Sequence, residues 1–82
     1  MPAETLALNA LVWILQEEAR AERFMNLTGL SPEDLRQRIG ARQVQAAVLE
    51  FLVGHEPDLL AAADALAVPP DALPAAHREL SA

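Results

Sequence analysis

The chain has 82 residues, 52% of them hydrophobic, a net charge of −6 and no cysteine. That length allows one domain, residues 1–82, burying roughly 60% of its unfolded surface, and the apolar content excludes a disordered chain. The missing cysteine excludes disulfides and thiolate chemistry, and the acidic balance opposes nucleic acid and anionic membrane as partners. Alanine is plentiful, while the β-branched and aromatic residues that fill strands are sparse. An all-α chain is expected, a compact bundle of about five or six short helices.

Glu4 and Thr5 open the first helix. Thr5, Asn9 and Gln16 share one narrow sector of its wheel, and leucine, valine, isoleucine and Trp13 fill nearly all the rest. A helix apolar almost all round is buried on several sides. The prediction is therefore a central first helix with Trp13 as its largest contributor. The apolar run Leu6–Leu15 is no leader peptide, because Glu4 precedes it and Glu17-Glu18 follow. It is also far short of the ~20 residues that span a bilayer, so a cytoplasmic protein is expected.

No glycine or proline interrupts residues 5–28, yet Glu17 to Arg23 is strongly polar. A straight helix would carry Phe24 and Leu27 away from the core, so a break is predicted near Glu17 to Ala19. The acidic cluster of Glu17, Glu18 and Glu22 reads as a solvated turn, since no Glu-x-x-His of a di-iron bundle accompanies it.

The stretch Gly29-Leu30-Ser31-Pro32-Glu33-Asp34-Leu35 is a helix stop followed by a capped helix start. Gly29 can take the left-handed conformation, Ser31 is a good N-cap, and Pro32 suits the first helical position. Glu33 and Asp34 place negative charge at the positive end of the helix dipole. The new helix should run from Pro32 to Ile39 and stop at Gly40. The next, from about Ala41 to Val53, carries Val44, Ala47, Val48, Phe51 and Leu52 as a core stripe. Asp58 falls in the first turn of a fifth helix with Leu59, Leu60, Ala63, Leu66 and Ala67 on its apolar side. Val68, Pro70, Asp71 and Leu73 then echo Leu30, Pro32, Glu33 and Leu35. The echo points to a bundle made of helix–corner–helix units around a buried first helix. Pro74 argues for a single turn at Pro70 to Leu73 and a terminal helix from about Pro74 to Leu80.

Candidate chemistry is thin. His55, Glu56 and Asp58 crowd possible metal ligands into one loop, at a spacing that fits no helical metal motif; a polar loop with a capping acid explains them. His77 belongs to a solvated face. Ser31 has no nearby histidine and there is no Gly-rich phosphate loop, so no catalytic residue, metal or cofactor is expected. The corner at Gly29 resembles a DNA-binding helix-turn-helix, with Arg36, Arg38 and Arg42 as its only basic set. Met25, Thr28 and Arg38 depart from that motif, and Glu33 and Asp34 would meet phosphates at the groove-facing turn.

The apolar first helix with Trp13, the run Arg23-Phe24 through Leu27-Thr28-Gly29-Leu30-Ser31-Pro32-Glu33-Asp34-Leu35-Arg36, and Val48-Leu49-Glu50-Phe51-Leu52 before Gly54 together resemble a small alphaproteobacterial family, domain of unknown function 3572. In that family an acid-proline pair often stands where this chain has Glu17-Glu18. The resemblance implies a bacterial, cytoplasmic, all-α protein and brings no assigned activity, catalytic residue or cofactor.

The expected function is a protein–protein interaction or structural module without catalytic activity, its partner another protein or a second copy. Ala46, Leu49 and Val53 lie outside the core stripe of the fourth helix and form its candidate interface. A degenerate helix-turn-helix DNA binder is the alternative, and a metal-dependent enzyme at His55, Glu56 and Asp58 a remote one.

Overall fold

Glu17 leaves the helical conformation, with φ −118° and ψ 125°. It divides the long N-terminal run into α1 (Ala3–Leu15) and α2 (Glu18–Thr28) in the computed structural model, which describes residues 1–82. The break falls where the polar stretch predicts it, but that stretch is more than a solvated turn. Arg20 reaches back from α2 and donates from Nε to the carbonyl of Ile14 at 3.3 Å and from Nη2 to that of Trp13. Its guanidinium carbon lies 3.6 Å from the centre of the Trp13 ring. Carbonyls at the C-terminal end of α1, that of Trp13 also accepting from the Gln16 N–H at 3.2 Å, thus find a cationic donor.

The second corner joins α2 to α3 (Pro32–Arg38) as the sequence predicts. Gly29 has φ 73° and its N–H donates to the carbonyl of Met25 at 2.9 Å, the αL form of helix termination. The Thr28 hydroxyl donates to the carbonyl of Phe24 at 2.7 Å and accepts from the Leu30 N–H at 3.3 Å. Ser31 Oγ accepts from the Asp34 N–H at 3.1 Å, and Asp34 Oδ2 accepts from the Ser31 N–H at 3.0 Å. This reciprocal capping box holds the Asp34 carboxyl below its ordinary range, through the backbone bond from Ser31 first and its hydroxyl second.

The helix α3 stops at Arg38, one residue short of the predicted Ile39. Next come α4 (Arg42–Val53), α5 (Glu56–Ala65) and α6 (Ala72–Ser81). Gln45, the one buried polar side chain, donates to the carbonyl of Ile39 at 3.1 Å and so satisfies the corner before α4. The echo of the Gly29 corner extends one residue further than the sequence shows. Ala67, at the place of Gly29, also has a positive φ of 57°. Here the N–H of Val68 bonds the carbonyl of Ala63 at 3.0 Å and that of Ala67 bonds Asp64 at 3.1 Å, a Schellman termination of α5.

Three expectations need correction. α1 does not stand alone at the centre: α4 packs against α1, α2, α5 and α6, most extensively against α6, and α1 in turn packs against α2, α4, α5 and α6. On α1, Val12 and Leu15 are exposed and Trp13 is half-buried beneath Arg20. On α5 and the turn after it, Ala62 and Ala63 turn inward and Leu59 and Leu66 are half-buried against the core, while Leu60 and Ala67 face solvent. Finally, α6 begins at Ala72, with Pro74 as its third residue. An N–H at that position has no intrahelical acceptor, so the proline removes no bond there.

Candidate functional site

Phe24 of α2 and Phe51 of α4 meet edge to face, ring centres 5.3 Å apart at 90°. Phe24 is fully enclosed, whereas Phe51 keeps a margin of exposure. That margin lies in a groove of about 390 Å³, the largest concavity of the protein. Arg23, Leu27 and Thr28 line it from α2; Ala47, Glu50, Phe51, Gly54 and His55 line it from α4 and the turn that follows. Leu27 stands on the rim, 72% exposed. Inward-facing Ala21, Phe24, Met25 and Thr28 complete the buried stripe of α2 at helical spacing without it.

The charges of the groove form a linked set. Arg23 pairs with Asp58 Oδ2, and its guanidinium carbon is 5.1 Å from the centre of the Phe51 ring. His55 Nδ1 lies 3.0 Å from the same carboxylate oxygen, and the Asp58 side chain is 14% exposed. Asp58 therefore neutralises Arg23 and orients the imidazole. The groove offers no activated nucleophile to that imidazole, since the Thr28 hydroxyl is committed to Phe24 and Leu30. At this loop Asp58 turns toward Arg23, and no three carboxylate or imidazole side chains converge as metal ligands would.

The predicted interface does not survive as a unit. Leu49 is wholly enclosed, because α4 is surrounded by four helices rather than packed along one stripe. Val53 reaches solvent at 38% exposure and Ala46 is half-buried. The basic set of the helix-turn-helix alternative is likewise dispersed. Arg36 pairs with Glu33 at 3.5 Å, and Arg38 lies 3.5 Å from the Gln43 side chain. Arg42 donates to the carbonyl of Glu79 at 2.8 Å, which makes it a cap on the last turn of α6.

The sequence reading missed Leu27, Phe51, Arg23 and Asp58 as a group. The predicted break returns Phe24 to the core but, against expectation, leaves Leu27 outside it, because Leu27 falls off the inward stripe of α2. Two further hollows matter. One, of about 320 Å³, lies on the other side of Leu27 between Ala19, Glu22, Arg23 and Asn26. Another, of about 240 Å³, is lined by Val12, Trp13, Ala65 and Leu66 with Asn9 and Gln16, and has no charged residue.

Residues 1–82 match a family described as proteins of unknown function, DUF3572. The chain belongs to this family. No curated protein and no solved structure matches it. The DUF3572 match spans both walls of the groove and every corner, so the helical order given above is that of a full-length match. No helix of this DUF3572 protein is long and apolar enough to cross a membrane.

Proposed function

We propose that this protein is a non-catalytic interaction module, a small acidic helical body that holds another protein in the cytoplasm of a bacterium. The observation that supports this reading is Leu27, 72% exposed beside the hollow over Phe51. A leucine gains about 1.5–3 kcal/mol when it leaves water, and Leu27 forgoes most of that within its own chain. Leucine rim, aromatic floor and flanking charges are the parts of a helix-binding groove. DNA binding has no observation in its favour once Arg42 caps α6 and Arg36 pairs with Glu33.

A photo-crosslinking side chain placed at position 27, in cells that naturally make the protein, tests the reading. The same side chain at position 12 samples the uncharged hollow on the other side of the bundle. A discrete protein adduct from position 27 and none from position 12 is the expected result. Adducts from neither position, or only from position 12, refute the groove as the working surface.

A further inference from the structure

Resting on that reading, we infer that the groove between α2 and α4 takes a short cationic amphipathic helix of another protein, apolar side on Leu27 and Phe51, basic side chains on Glu22 and Glu50. Charge decides the class of partner. Glu50 lines the groove and Glu22 lines the adjoining hollow across Leu27. Neither takes part in any of the four ion pairs of the protein. The cation between them is different: Arg23 is already matched by Asp58. Counting Arg23 as +1 and Asp58, Glu22 and Glu50 as −1 each, with His55 neutral, leaves −2 around an apolar centre.

A cation is the only charge that improves this site. An acidic segment would meet two unneutralised carboxylates, and nucleic acid would meet them with phosphates. A second copy is disfavoured for the same reason, since it would bring the same carboxylates on a body of net charge −6. The shape favours a helix. An open groove between two helices, with a leucine rim and an aromatic floor, is the form into which an amphipathic helix lays its apolar face.

The test uses the full chain and three synthetic amphipathic peptides with the same Leu/Phe face and with Lys, Gln or Glu on the polar face. Amide resonances of the isotope-labelled protein report where each one lands. The Lys peptide should shift the amides of Arg23–Thr28 and Ala47–His55. Its affinity should fall about tenfold in the double variant Glu22→Lys/Glu50→Lys, which should instead gain affinity for the Glu peptide. Both carboxylates are exposed, so the variant folds. If the Gln peptide binds the same amides as tightly as the Lys peptide, the groove stands and the cationic partner is overturned. If no peptide shifts those amides, or shifts appear only around Val12 and Leu66, the inference is overturned outright, while crosslinking from position 27 still decides the broader reading by itself.

Discussion

Replacing Arg20 with alanine removes the fastening between α1 and α2, and the structure allows the loss to be sized. The side chain is 11% exposed, so its contacts are only partly screened. Two charge-assisted bonds to the carbonyls of Trp13 and Ile14 disappear, but both carbonyls sit beside the exposed Gln16 and can recover water. That recovery limits their joint loss to about 1 kcal/mol. The stack on Trp13 is worth about 1 kcal/mol in a half-desolvated setting. The pair with Glu17, 3.6 Å away and 64% exposed on the acid, adds little. The total is about 2 kcal/mol, against roughly 4–12 kcal/mol for a domain of this size. Thermal melting followed by far-ultraviolet circular dichroism should drop by about 10 °C. Trp13 is the only tryptophan, so its fluorescence independently reports the loss of the stack. Arg20→Lys should recover only part of the loss, because an ammonium lacks the planar fork and face. An Arg20→Ala protein as stable as the parent, or a lysine that restores stability in full, would refute this account of the corner.

Other substitutions separate the remaining claims. Ala67→Gly should stabilise the protein by about 0.5–1 kcal/mol in urea unfolding, because glycine relieves a left-handed penalty of about 1–2 kcal/mol and returns only part of it as unfolded-state entropy. Ser31→Ala should cost about 1 kcal/mol and show as faster amide exchange within α3. The Asp34 carboxyl, depressed in the folded state, stabilises the fold above its unfolded pKa, and that contribution is lost as pH falls through the lower folded value. The stability gap between the parent and Asp34→Asn should therefore be full at neutral pH and close as pH falls through the lowered folded-state value, by denaturant titration. Leu49→Ala should cost about 2–5 kcal/mol as a core truncation, while Val53→Ser stays within about 0.5 kcal/mol, which separates buried from exposed members of the predicted interface.

Local chemistry was the legible part of this sequence. The corner from Gly29 to Leu35 is encoded in adjacent residues, each favouring one backbone conformation, and it forms as read. The break at Glu17 was legible because a stretch from Glu17 to Arg23 with five charged residues among seven cannot prolong a buried helix. What failed depended on how many neighbours a helix has. Leu49 looks superfluous on a wheel with one apolar stripe and becomes core once four helices surround α4. The groove was invisible for a related reason: Phe24 meets Phe51 and Arg23 meets Asp58 only through the mutual placement of α2, α4 and α5. Pairings across so many residues leave no mark in any local window. Ala67 escaped notice because a left-handed residue that is not glycine carries no label.

The position of α4 bears on how the protein is born. Its most extensive neighbour is α6, whose Leu73, Ala76 and Leu80 complete the shared core. A nascent chain that has presented α1 to α5 to the cell still has α4 open along the side that α6 will cover. Helices form within microseconds, whereas synthesis advances by about 5–20 residues each second. Until α6 has cleared the exit tunnel, α4 lacks the cover of its most extensive neighbour and stays in reach of chaperones and proteases. Chains held on the ribosome by a linker that spans the tunnel should be digested readily when they end at Pro70 before the linker, and should resist when they extend beyond Leu80.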